Sequence, residues 1–131
     1  MRVRRRFVLL LCLLACGACS KKSTDELLAD LKSPQEADRI KAVRLLPQHK
    51  GDAAQIVPAL IEALKDKEGD IRWSAAIGLG YFGEQARDAI PALQAAERDR
   101  DARVREAARV ALARIDPNLA PKTSSSKARG K

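Results

Sequence analysis

Ile56-Val57-Pro58-Ala59-Leu60 returns 33 positions further on as Ala89-Ile90-Pro91-Ala92-Leu93, and the correspondence runs well beyond these five residues. At the same offset Leu27 aligns with Leu60, Asp66 with Asp99, Ile71-Arg72 with Val104-Arg105, and Leu79 with Leu112. Arg39, Ala42 and Leu46 fall in the same way on Arg72, Ala75 and Leu79. A fixed period of this size marks a stacked repeat array, in which each unit buries its apolar face only against its neighbours.

Inside one unit Ile71, Ala75, Gly78, Leu79 and Phe82 follow the i, i+4, i+7, i+8, i+11 spacing that lines one side of a helix, and Val104, Ala108, Ala111, Leu112 and Ile115 repeat it. A companion helix is marked by Ile56, Val57, Leu60, Ile61 and Leu64. Pro58 is read there as a first-turn residue, where its missing N–H has no intrahelical partner to lose, and Pro91 has the same role in the next unit.

Asp66-Lys67-Glu68-Gly69-Asp70-Ile71-Arg72, then Ala75-Ala76, Gly78-Leu79-Gly80 and Ile90-Pro91-Ala92-Leu93, resembles the short HEAT-like repeats named after phycobilin lyases. Asp99, Asp101, Val104-Arg105, Ala108 and Ala111-Leu112 form a second copy, and residues 34 to 64 a weaker one, so the resemblance covers about residues 25 to 116. It implies an all-α fold: a short right-handed α-solenoid of antiparallel helix pairs. Helices are expected at 24–32, at 35–47 paired with 57–66, at 70–82 paired with 89–98, and at 101–115, giving about two full repeats with half-repeat caps. It also implies that Asp66, Arg72, Asp99 and Arg105 link adjacent repeats through charge-assisted hydrogen bonds. The first unit departs from the pattern, with Ser33 and Asp38 where an Asp and an aliphatic residue are expected.

Composition agrees. The 131 residues suit one modest domain, and only four are aromatic, which speaks against a β-sandwich, while the Ala, Leu, Arg and Glu content suits packed helices. The net charge of +8 does not belong to the repeats. Arg2, Arg4, Arg5, Arg6, Lys21 and Lys22 lie at one end and Lys122, Lys127, Arg129 and Lys131 at the other, leaving 15 bases against 17 acids in between. A nucleic-acid module concentrates its basic residues on the folded surface, so nucleic acid is not the expected partner.

Met1 to Arg6 is basic and Phe7 to Leu14 is an apolar run too short to span a bilayer core of about 30 Å. Leu13-Leu14-Ala15-Cys16-Gly17 then resembles a bacterial lipoprotein signal. The resemblance implies a signal peptide over 1–15, lipidation of Cys16 with Cys19 as the alternative site, and a linker over 16–23. Several acyl chains hold a protein at a membrane where one is marginal, and Lys21 and Lys22 add attraction to anionic headgroups. No Asp follows Cys16, which under the sorting rule of certain Gram-negative bacteria directs the protein to the outer membrane, facing the periplasm. Cys12 leaves with the signal, so the Cys16–Cys19 spacing is neither a redox pair nor half a zinc site.

Few side chains suggest chemistry. Trp73 stands about 200° round the helix from Ile71, and Ile40 takes the same place one unit earlier, so the two are the candidate partner-binding residues on an outer apolar patch. The second helices point Ala59, Glu62, Ala63, Ala92, Gln94 and Ala95 toward the concave side. His49, the single histidine, aligns with Phe82 and Ile115 and is expected at the edge of the core. No HExxH, phosphate loop, nucleotide fingerprint or Cys/His metal spacing occurs, so neither catalysis nor a cofactor is expected. Residues 117–131 are expected to be a disordered basic tail able to touch anionic lipid or an acidic cell-wall polymer.

These features predict a lipid-anchored envelope protein, not an enzyme, whose solenoid binds another envelope protein. An accessory lyase or chaperone-like factor of the phycobilin-lyase kind and a structural envelope protein are the alternatives, with export arguing against bilin chemistry.

Overall fold

The computed structural model describes residues 22–119. The expected signal peptide, Cys16, Cys19 and the tail from residue 120 onward lie outside them.

Six α-helices make up the fold: α1 (Thr24–Asp30), α2 (Glu36–Leu45), α3 (Ala53–Ala63), α4 (Gly69–Phe82), α5 (Ile90–Ala96) and α6 (Ala102–Ile115). No strand occurs among the described residues. Ser23 opens α1 with a reciprocal cap, its Oγ accepting the Glu26 N–H at 3.3 Å while its own N–H donates to Glu26 Oε2 at 3.0 Å. Lys22 pairs with Asp30 at the far end of that helix. The Asp101 side chain caps α6 by accepting the Arg103 N–H at 2.9 Å. Gly83 ends α4 at φ +52°, a conformation that side-chain-bearing residues avoid.

The helices form two layers. In the first, α4 lies between α2 and α6; in the second, α3 is flanked by α1 and by the 3₁₀ stretch Gly83–Ala89 that leads into α5. Leu27, Leu46, Ile56, Leu60, Ile71, Leu79, Leu93, Val104 and Ile115 are fully buried between the layers. Because α4 has neighbours on both sides, it buries Arg72, Ser74, Ala76 and Gly80 as well as its apolar stripe. Small residues let these helices approach: a Cβ on Gly80 would stand 3.2 Å from Ala111 Cα, and one on Gly78 would stand 3.0 Å from Pro47 Cγ.

The expected elements are all present, with three differences. First, α3 begins at Ala53, so Pro58 lies inside the helix and not in its first turn. Ala54, whose carbonyl a donor at position 58 would use, is exposed along with Pro58, and water can satisfy it. Pro91 does occupy the first turn of α5. Second, each second-layer helix lies closest to the first-layer helix that follows it, giving the pairs α1–α2, α3–α4 and α5–α6. Short turns join α3 to α4 and α5 to α6, whereas the routes from α2 to α3 and from α4 to α5 run through 3₁₀ segments at Leu46–Gln48, Lys50–Asp52 and Gly83–Ala89 that splay the helices apart. The end helices α1 and α6 each pack against their own partner, α2 and α5, in the short all-α solenoid. Third, ordered backbone continues past residue 117 as a 3₁₀ turn, Pro117–Leu119, because Asp116 accepts the Leu119 N–H at its carbonyl and the Asn118 N–H at its side chain, both at 2.9 Å.

Candidate functional site

The turns that precede α2, α4 and α6 lie along one edge of the array, and their arginines bind it together. Arg72 donates from Nε to Asp99 Oδ2 at 2.8 Å and from Nη2 to Asp99 Oδ1 at 3.0 Å, while Nη1 reaches the carbonyls of Asp66 at 2.8 Å and Lys67 at 3.0 Å. Arg39 repeats this one unit earlier: Nε to Asp66 Oδ2 at 2.9 Å, Nη2 to Asp66 Oδ1 at 3.3 Å, and Nη1 to the carbonyls of Ser33 and Pro34. Each acid also caps its own turn, Asp66 Oδ1 accepting the Glu68 N–H and Asp99 Oδ1 the Asp101 N–H. In these bidentate ion pairs the arginines are buried and the aspartates half-buried, and the geometry is the one in which guanidinium and carboxylate match best.

The electrostatics follow from the contacts. The hydrogen bond from Arg72 holds the Asp99 carboxyl below its ordinary value, with burial opposing and the Asp101 N–H helping. At Asp66 burial is the largest influence and pushes upward, but the Glu68 N–H and Arg39 outweigh it, and the net shift is again downward.

Of the four residues expected to link repeats, Arg72 and Asp99 pair with each other, and Asp66 pairs with Arg39, which sequence reasoning aligned with Arg72 without assigning it this role. Arg105 links no repeats. Its Nη1 bonds the carbonyls of Asp99 and Arg100 in its own turn, and no carboxylate among the described residues receives its outer edge. At the other end Ser33 takes over some of the missing Asp's work, its Oγ accepting the Gln35 N–H at 3.1 Å and donating to Asp38 Oδ2 at 3.1 Å.

Trp73 and Ile40 do not form the open patch expected of them. Both are half-buried and pack against the core, because neighbouring helices cover the side of α2 and α4 that an isolated helix would expose. The exposed large apolar side chains among the described residues are Leu45, Tyr81, Val110 and Leu119, with Arg114 standing over the Tyr81 ring at 5.6 Å. His49 is half-buried as expected, but with a polar role: its Nδ1 lies 3.1 Å from Thr24 Oγ1, which also donates to Asp52. That cluster ties the start of α1 to the turns before α3. The Thr24 hydroxyl thus joins His49 and Asp52 in one cluster that supports the fold.

Two concavities stand out among the described residues. One of about 390 Å³ lies between α1 and α3, with Leu28, Leu31, Pro58, Ala59 and Ala63 as its apolar wall and Lys32 and Glu62 among its polar groups. It contains a portion of the concave surface expected from the sequence; Ala92 is half-buried, and Gln94 and Ala95 are exposed further along on α5. The other, about 530 Å³, follows the turn edge and is polar. Its charges are largely paired, Arg103 bridging Asp70 at 2.9 Å and Asp101 at 2.8 Å, and Arg100 bonding the Lys67 carbonyl at 2.9 Å. Among the described residues no group of three or more His, Cys, Asp or Glu is placed to hold a metal ion. No helix among them is long and apolar enough to cross a membrane.

Stacked helix pairs, the 33-residue period and the recurring Arg–Asp pairs define a class of α-helical repeat array whose surfaces serve protein interaction or scaffolding. The family model for HEAT repeats matches residues 24–118, most of the chain, and the protein belongs to that family. A search of curated proteins finds no match.

Proposed function

We propose that the protein is a bacterial lipoprotein, anchored through lipid on Cys16, that displays its HEAT repeats in the cell envelope as a binding or scaffold module for another envelope protein. The observation that carries the anchor is the order of segments at the amino terminus: basic residues, the apolar run Phe7 to Leu14, then Leu13-Leu14-Ala15-Cys16-Gly17. Cleavage before Cys16 leaves the linker 16–23 before α1 begins at Thr24, so the array stands close to the membrane surface. The basic residues beyond Leu119 then add a nonspecific attraction to anionic lipid or an acidic wall polymer. The absence of Asp after Cys16 favours the outer membrane in a Gram-negative cell.

Metabolic labelling with radioactive palmitate tests the anchor directly. Label on the wild-type chain and on Cys19→Ala, with none on Cys16→Ala, is the expected result; loss in Cys19→Ala alone moves the anchor to Cys19, and an unlabelled wild type ends the lipoprotein reading. For the binding role, the α1–α3 groove is the first surface to test, with Trp73 and Ile40 as the second. A photo-crosslinking residue at Glu62 should capture one reproducible envelope protein in the intact lipoprotein, and one at Trp73 should capture it less efficiently because that position is half-covered.

A further inference from the structure

The repeats supply their own template for a site at the end of the array. In Arg39 and Arg72 the Nη1 group donates to two carbonyls of the preceding turn, which fixes the guanidinium, and Nε with Nη2 takes the two oxygens of a carboxylate. Arg105 repeats the fixed half of this arrangement, with Nη1 2.8 Å from the Asp99 carbonyl and 3.2 Å from that of Arg100. Among the described residues nothing occupies its Nε and Nη2. Two copies of the same pinned fork hold a carboxylate in this molecule, and the third stands open.

We propose that Arg105 is a carboxylate-binding site that takes an acidic side chain of a partner protein seated along α6, where a further repeat would stand. The surrounding surface fits such an occupant. Arg105, Arg109 and Ala113 occupy the positions that Arg72, Ala76 and Gly80 hold on α4, the stripe on which α6 itself is seated. Arg109, exposed beside Arg105 on this stripe, favours an acidic partner. Arg109 is held only by exposed pairs, to Glu97 at 3.7 Å and Glu106 at 3.4 Å, so moving it aside costs little.

A second copy of this chain is the poorer occupant. Its leading turn carries Ser33 where the fork needs an Asp, and Lys41 stands where Ser74 and Ala107 are buried between stacked units. Stacking would carry that lysine into the interface beside Arg109.

The assignment deepens the interaction-module reading by naming one surface and the chemistry it recognises. Its test needs neither lipid nor the α1–α3 groove, so its failure and theirs are separate results. Full-length protein with ¹⁵N-labelled arginine is titrated with a capped Ala-Asp-Gly-Ala peptide while the arginine Nε–H resonances are followed. The Arg105 signal should shift with saturation in the millimolar range, while those of Arg39 and Arg72, already occupied, stay in place. The Ala-Asn-Gly-Ala peptide should leave Arg105 unmoved. Arg105→Lys, which keeps the charge but loses the planar fork, should reduce affinity for the acidic peptide at least tenfold in a chain whose helical circular dichroism matches the wild type. An unmoved Arg105 resonance, an equal response to the Asn peptide, or an equal shift with inorganic phosphate overturns the proposal.

Discussion

The two Arg–Asp pairs use the same side chains, the same atoms and the same spacing, yet they stand in different surroundings. Around Arg72 and Asp99, α4 and α6 meet through Gly80 and Ala111, and the longer of the two hydrogen bonds is 3.0 Å. In the unit of Arg39 and Asp66, Pro47 in the 3₁₀ segment after α2 meets Gly78 of α4, and the longer bond is 3.3 Å. The turn before Arg72 is closed by an aspartate, and the turn before Arg39 by a serine. A repeated motif thus specifies the contact at one end of the helices, while small residues toward the other end let the units approach closely.

The largest break in this comparison is Arg72→Ala. Only 6% of the Arg72 side chain and 12% of the Asp99 side chain remain exposed, so deleting one partner strands a buried charge and should cost about 3 kcal/mol. Arg39→Ala, with 9% and 15% exposed, should cost less. Urea unfolding of both variants measures the order, and an equal loss would remove the distinction between the pairs. The pH dependence carries the same signature. Asp66 and Asp99 are held below the ordinary carboxylate value of about 3.9, so their contribution is fully present above that value and is lost as pH falls further, through their folded-state values. Stability of the wild type should therefore drop more steeply below about pH 4 than that of Arg72→Ala.

Gly80→Val tests the packing side. Its Cβ would stand 3.2 Å from Ala111 Cα and 3.3 Å from Ala111 Cβ, and backbone cannot swing away as a flexible side-chain tip can. Overpacking of this kind should cost about 2 kcal/mol, and it should lengthen the Arg72–Asp99 bonds by forcing α4 and α6 apart. A thermal shift no larger than that of the same change at Gly51, which meets nothing within 4 Å, would show that close approach is not what tightens the second pair.

The helices were legible because each carries a stripe with a regular period, and α4 and α6 begin and end within a residue of expectation. The turn acids and arginines were legible because they recur in register. Trp73 was misplaced for a physical reason: a helical wheel divides an isolated helix into core and solvent, whereas α4 is enclosed by α2 on one side and α6 on the other. Ser74 is a second consequence, its hydroxyl buried in that enclosure without a hydrogen-bond partner. The Thr24–His49–Asp52 cluster left no trace in the repeat because it joins the irregular 3₁₀ turns to the first helix, and its members have no counterparts in the later units. The same limit applies to Arg105, whose alignment implied a link to a neighbour that the described residues do not supply.

Ser33 offers the finest adjustment of the comparison. Its Oγ supports the first turn twice, accepting the Gln35 N–H and donating to Asp38, and the Arg39 guanidinium rests on its carbonyl at 3.1 Å. Ser33→Ala removes the cap but leaves that carbonyl in place, so it should cost about 1 kcal/mol while Arg39 keeps its bond to Asp66. Hydrogen exchange at the Gln35 amide should accelerate, and exchange at Glu68 and Asp101, capped by Asp66 and Asp99, should stay unchanged. Acceleration at all three would mean that the turns are coupled along the whole edge, and that the serine supports the array and not merely its first unit.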